Sequence, residues 1–313
     1  MWTLLMGRMA KSQSVWKWQS VWKLESVWKW ESVWKLQRAL LTVAVLLAAV
    51  LSARTALHRQ AAIARRRIGK PLGEDAIDAD RIWQRSLEGT PIELLLLGDS
   101  IAAGLGAHRR KDTLGGRLAK ALASQMQRPV RLTTAAVVGS ESSQLGVQLD
   151  GLADGYVADV AVIIVGGNDI THRIPVTISA GHLASALERL HIRGTRVVVG
   201  TCPDLGALRP VPQPLRILGS RLSRQLAAEQ AAVARRAGAH AVSLRHTVGQ
   251  FFISEPDEMF SLDRFHPSAL GYRRTADALL PAVATAVAER QAAVEAATHE
   301  VTSPAVTEQN ASA

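Results

Sequence analysis

Residues 92–104 read IELLLLGDSIAAG, and this stretch decides how the rest of the chain is read. Four leucines in a row, Leu94 to Leu97, leave no polar face, so a strand here is buried on both sides. Gly98, Asp99 and Ser100 close the run, and helix-compatible residues follow. Working outward, similar apolar runs stand at 130–138, 160–165 and 197–200, with a weaker one at 241–244. Helix-like segments separate them at 114–126, 178–190 and 215–237. Continuous apolar strands alternating with helices predict a mostly parallel sheet of about five strands, covered on both faces: a three-layer α/β/α sandwich. Ligands bind such sheets beyond the carboxyl ends of the strands, so functional residues are expected just after the apolar runs.

Polar residues do stand there. Ser100 sits at the top of the first run and opens a helix, which exposes its hydroxyl beside unpaired backbone N–H groups. A Gly-Asp-Ser tripeptide alone also suits an ordinary turn. Gly139 follows the second run within VVGSESS, and Gly166-Gly167-Asn168-Asp169 follows the third. Near the C-terminus, Asp263-Arg264-Phe265-His266 precedes Pro267 and a final helix. Taken singly, Asp263 and His266 read as a surface pair and Asn168 as a turn residue.

Together, in this order, these four stretches resemble the SGNH hydrolase superfamily, also called GDSL-like lipases and esterases. The resemblance covers residues 92 to about 290, and Ile101 stands where the family usually has leucine. It implies a flavodoxin-like strand order and ester hydrolysis through an acyl-serine intermediate. It assigns Ser100 as nucleophile, His266 as the base that takes its proton, and Asp263 as the group that fixes the imidazole tautomer. The backbone N–H groups of Ser100 and Gly139 and the side-chain amide of Asn168 correspond to the family's oxyanion hole. Gly139 suits that role because a residue without Cβ lets the backbone approach a substrate. An acyltransferase would use the same triad, and a non-catalytic envelope protein would keep the fold for binding alone. The expected partner is an acyl ester: a lipid, an acylated glycan or a small ester.

Asp99 and Asp169 read as loop-bonding carboxylates. His108, His172 and His246 are scattered without metal-ligand spacing, so no metal and no cofactor is expected. The lone Cys202 excludes an intramolecular disulfide and reads as a buried thiol. The proline-spaced segment 203–214 is expected either to border the site, as a rim or lid, or to act as a rigid connector.

The formal net charge of +10 suggests an anionic partner until it is located. Residues 1–38 carry seven Lys and Arg against two Glu, and residues 54–70 carry six with no acid, so the remainder is close to neutral. A nucleic-acid partner is therefore not expected. From Ser14 a hexapeptide repeats four times (SVWKWQ, SVWKLE, SVWKWE, SVWKLQ) and holds six of the eight tryptophans. Residues 1–38 read either as an aromatic and basic membrane-surface segment or as a tandem duplication upstream of the true start. The uncharged run 39–53 spans about 22 Å as a helix, short of a ~30 Å hydrocarbon core, and reads as a signal sequence or uncleaved anchor. Residues 54–90 are expected to form a stalk, 91–292 the hydrolase domain, and 293–313 a disordered tail. The protein is expected to be exported, with the domain outside the cytoplasm.

Overall fold

The computed structural model describes residues 15–73 and 75–302, in two compact units divided between Arg59 and Gln60. Helix α1 (Val15–Ile68) carries the hexapeptide repeats from Val15 onward, and residues 1–14 lie outside the described residues. The charges flanking 39–53 do not break it, because Lys, Arg, Gln and Glu are good helix formers. Ser32–Ile68 is consequently long and apolar enough to cross a membrane, and its most apolar 18-residue stretch has a mean hydropathy of 2.1 and is wholly unburied. A signal sequence has the same properties.

The second unit is built on six strands: β1 (Ile82–Trp83), β2 (Ile92–Gly98), β3 (Val130–Thr134), β4 (Val160–Ile164), β5 (Arg196–Gly200) and β6 (His240–Val242). Their order is β1-β3-β2-β4-β5-β6; β1 pairs antiparallel and all the others are parallel. Without β1 this is the flavodoxin-like order. The sheet has one strand more than the expected count of about five. At two residues, β1 is too short to show any period, and it lies in the segment expected to be a stalk.

That segment is otherwise tied down as well. The Thr134 N–H donates to Asp80 Oδ2 at 2.8 Å, and Arg110 Nε donates to the Asp78 carbonyl at 2.8 Å. From Gln60 on, the chain therefore belongs to the α/β unit and is not a free stalk. The β3 run also ends earlier than its apolar residues suggest. The N–H groups of Ala135 and Ala136 both turn to the Leu96 carbonyl, and the chain leaves the sheet.

The helices after α1 are α2 (Ser100–Ala103), α3 (Leu114–Met126), α4 (Leu145–Asp150), α5 (Gly167–His172), α6 (Val176–Ile192), α7 (Leu215–Arg236), α8 (Leu244–Thr247), α9 (Gly249–Ser254), α10 (Pro256–Met259) and α11 (Ala269–Thr302). Alternation along the strands divides the core in two. Leu94, Leu96, Val160, Val162 and Ile164 face one layer, packed with Leu114, Leu118 and Leu122 of α3 and Leu279, Val283 and Val287 of α11. Leu95, Leu97, Ala161 and Ile163 face the other, with Leu145, Leu149, Leu183, Leu187 and Val233 from α4, α6 and α7. The spacing of 114, 118 and 122 places all three on one helical stripe. Residues 293–302, expected as part of a disordered tail, continue α11, and those after Thr302 lie outside the described residues.

Leu96 is fully buried between β3, β4 and the α3–α11 layer, whereas Leu262, one residue before Asp263, is 74% exposed. Leu96→Ala should lower the unfolding free energy by about 2–5 kcal/mol through lost burial and a residual cavity. Leu262→Ala should change it by no more than about 0.5 kcal/mol. Urea denaturation of the two variants beside the parent protein measures both.

Candidate active site

The end of β2 is shaped by an unusually close backbone approach. Gly98 has φ +127°, and a Cβ there would lie 1.8 Å from the Ile164 carbonyl oxygen at the end of β4. Only glycine fits, on both counts. The next N–H, that of Asp99, donates to the same Ile164 carbonyl at 3.0 Å. Asp99 then caps α2, its Oδ1 accepting from the Ile101 N–H at 2.9 Å. Ser100 is thereby delivered as the first residue of α2, where its N–H has no acceptor within the helix.

Ser100 Oγ lies 3.0 Å from His266 Nε2. His266 Nδ1 lies 2.5 Å from Asp263 Oδ2, while Asp263 Oδ1 accepts the backbone N–H groups of Phe265 and His266, each at 3.0 Å. The Asp-x-x-His spacing works because a tight turn wraps the backbone around the carboxylate. Arg264 stands at its corner with φ +56°. Burial pushes the Asp263 carboxyl up, but the hydrogen bonds from the His266 ring and the two N–H groups outweigh it and hold it below the ordinary carboxylate range. Asp263 is therefore ionised where it meets the imidazole N–H.

Asn168, on α5, donates one amide hydrogen to the Ser140 carbonyl at 2.9 Å, which orients the group and leaves its second hydrogen available. Gly139 lies on the loop after β3 with φ +85°. That loop is fastened at three points. The Val137 N–H donates to the Gly98 carbonyl at 3.1 Å, Ser140 accepts from Asn168, and the Ser142 N–H donates to Asp169 Oδ2 at 3.1 Å. Ser100, Asn168 and His266 line one pocket, whereas Gly139 is exposed and is not among its lining residues.

The pocket's far walls are apolar. They include Leu205 and Leu208 after β5, Val248 and Phe252 after β6, and Phe260 and Phe265 before His266. The proline-spaced segment after β5 therefore rims the site. Cys202 just before it is 1% exposed, and burial pushes its thiol well above the ordinary value, which leaves it unreactive. His172 pairs with Glu141 at 2.6 Å and His246 with Ser243 at 2.9 Å, both outside the pocket lining. Among the described residues no group of three or more His, Cys, Asp or Glu is arranged to hold a metal ion.

Three supporting residues give no signal in a single sequence. Gln148 on α4 binds both backbone groups of Gly98: its Oε1 accepts the N–H at 2.9 Å and its Nε2 donates to the carbonyl at 2.8 Å. Gln230 on α7 accepts from the Cys202 N–H at 2.7 Å and donates to the Val165 carbonyl at 2.9 Å, joining the ends of β4 and β5. The buried Tyr272 hydroxyl donates to the Leu105 carbonyl at 2.6 Å behind α2. A glutamine inside a helix looks solvent-facing until the fold shows which backbone it meets.

Asp99 contrasts with Asp263. Burial pushes its carboxyl up to about 6, although the Ile101 N–H opposes the rise. The folded protein thus holds this proton at pH values where the unfolded chain, with an ordinary value of 3.8, has released it. Asp99 then contributes a loss of stability as pH rises from its ordinary value through about 6. Asp99→Asn keeps an acceptor for Ile101 and removes the charge. The stability of that variant relative to the parent should increase between about pH 4 and pH 7 and level off above, as read by thermal denaturation across pH.

Comparison with known proteins bears on the family and the fold. The profile of the GDSL-like lipase/acylhydrolase family matches residues 96–274. A GDSL-like esterase of Mycobacterium tuberculosis is 40% identical over 209 residues, and the match spans 66% of this chain and 66% of that protein's length. Among solved structures, the lipase Lip_vut3 from a goat rumen metagenome has a TM-score of 0.51 at 18% identity, covering 61% of this chain and 97% of its own. A catalytic mutant of Axe2, an acetylxylan esterase from Geobacillus stearothermophilus, has a TM-score of 0.50 at 16% identity, covering 63% and 95%. At these identities the two structures speak for the fold alone. The profile match spans more than half of the chain and includes Ser100, Gly139, Asn168, Asp263 and His266, and the chain belongs to the GDSL-like lipase/acylhydrolase family.

Proposed function

We propose that the protein is a carboxylic ester hydrolase that works through an acyl-serine intermediate on Ser100. The observation that carries this reading is the unbroken relay Ser100 Oγ–His266 Nε2 at 3.0 Å and His266 Nδ1–Asp263 Oδ2 at 2.5 Å, at the wall of an apolar pocket. His266 takes the Ser100 proton as Oγ attacks the ester carbonyl, and Asp263 stabilises the imidazolium that forms. The developing oxyanion is met by the Ser100 N–H and the free Asn168 amide hydrogen, with the Gly139 N–H as third donor. Collapse expels the alcohol, which takes its proton from His266. Water then attacks the acyl-serine, His266 again removing and returning the proton. The apolar walls suit the hydrocarbon part of the ester.

Export follows from the N-terminal helix in the same reading. Its apolar length suits a signal sequence or an anchor, which would place the α/β unit outside the cytoplasm with access to envelope esters.

Ser100→Ala should lower kcat by ~10⁴–10⁶-fold on a generic p-nitrophenyl ester while leaving the fold intact. Asn168→Ala should cost less, ~10²–10³-fold, because one donor is lost and not the nucleophile. A serine-directed phosphonate should inactivate the protein irreversibly with the adduct on Ser100, found by peptide mass spectrometry. Activity retained in Ser100→Ala, or labelling elsewhere, would move the nucleophile. Product analysis with and without a polyol acceptor separates water from an alcohol as the second nucleophile.

A further inference from the structure

The start of α7 lacks the usual means of satisfying its N–H groups. Its N-cap position is Pro214, in the run Pro212-Gln213-Pro214, and a proline side chain accepts no hydrogen bond. The first N–H groups of a helix need outside partners. Here Ile217 donates to the Gln213 side chain at 3.2 Å and Arg216 to the Pro212 carbonyl at 3.0 Å. The first of them, the Leu215 N–H, donates at 3.0 Å to Oε1 of Gln60, 155 residues earlier in the chain. Seven residues on, Arg67 Nη1 donates to the Pro210 carbonyl at 3.4 Å. Ala64 between them is 7% exposed, and Gln60, Ala61 and Ile68 are half-buried, so positions 60, 61, 64 and 68 form one covered helical stripe.

The segment held in this way leads directly to the pocket. Leu205 and Leu208 form its rim, and the 3₁₀ turn Leu205–Ala207 rests on α7, where the Leu205 N–H donates to Ser223 Oγ at 3.2 Å. Other tethers hold the same rim. Asp204 pairs with Arg245 at 3.1 Å, and Arg209 donates to the Ile253 carbonyl at 3.3 Å. The position of the α7 start therefore helps to place the rim. Two residues from the helix that precedes the α/β unit's sheet supply part of that position.

We propose that Gln60 and Arg67 are positioning residues for the substrate pocket: by capping α7 and holding Pro210 they set the Leu205–Leu208 wall against which the hydrocarbon part of an ester packs. This rests on the esterase reading above. Neither residue lines the pocket or touches the Ser100–His266–Asp263 relay. Their effect falls on substrates long enough to reach the rim, and a two-carbon acyl group is not.

The test uses the full chain in detergent, with p-nitrophenyl acetate and p-nitrophenyl octanoate as probes. Gln60→Ala should raise KM for the octanoate by about 3–10-fold, the worth of one hydrogen bond, with kcat and the acetate kinetics unchanged. Gln60→Glu keeps an acceptor, and a carboxylate at a helix N-terminus is favourable, so it should restore the parent KM. Arg67→Ala should act in the same direction, and it reads the same arms should Gln60→Ala fail to fold. Hydrogen exchange supplies a readout independent of activity: amides from Leu205 to Ile217 should exchange faster in both alanine variants. Equal losses on both esters, a fall in kcat alone, or failure of Gln60→Glu to restore KM would overturn the proposal. So would exchange unchanged across the rim. A parent protein that cleaves neither ester removes the esterase reading, and the exchange measurement then decides the brace by itself.

Discussion

The approach of β2 to β4 at Gly98 is the constraint on which the rest of the site depends. A backbone with no side chain meets the Ile164 carbonyl there, and within two residues the chain turns from a fully buried strand into a helix. Gln148 binds Gly98 on both its N–H and its carbonyl, and Val137 adds a second hydrogen bond to that carbonyl. A strand end held from three directions has little freedom to move. Ser100 thus arrives with a defined direction, and its hydroxyl meets an imidazole carried more than 160 residues later in the chain.

The imidazole is held with equal economy. Asp263 uses one oxygen for the His266 ring and the other for two backbone N–H groups of the same turn, so the carboxylate both builds the loop and orients the base. Phe265 stands edge-on to the His266 ring with centroids 4.8 Å apart, and Gly106, with φ +106°, lets the Pro267 carbonyl pass close by. Two carboxylates near one imidazole are pushed in opposite directions. Asp263, which accepts three hydrogen bonds, is held ionised, while the more deeply buried Asp99 is raised to about 6. The environment divides their roles without any difference in residue type.

Support for the pocket comes from polar side chains that cross between elements, not from the motifs themselves. Gln148, Gln230, Ser223 and Gln60 each accept a hydrogen bond from a backbone N–H at the end of a strand, the start of a helix or the rim. Such groups are needed wherever a parallel sheet ends, because its last N–H and carbonyl groups lose their ladder partners and burial leaves them unsatisfied. The apolar walls after β5 and β6 can then pack around the site without leaving buried backbone exposed to nothing.

The local order of residues determined the strand runs, the helices between them and the four motif stretches, because a strand buried on both faces and a turn that closes it each need particular residue types at adjacent positions. It also located the charge in the N-terminal segments, since a charge sum needs no geometry. What only the tertiary structure decided depends on residues distant in sequence. The edge strand Ile82–Trp83 exists because β3 offers it a partner, not because two residues have any strand signal of their own. The region expected to be a stalk joins the α/β unit because Gln60, Arg67, Asp78 and Asp80 find backbone partners from 32 to 155 residues away. Gln148 and Gln230 are legible only in the fold, since a glutamine side chain carries no mark of the buried backbone group it will meet. A hydrogen bond between segments is a property of their packing, and packing appears only once the sheet has brought the strand ends together.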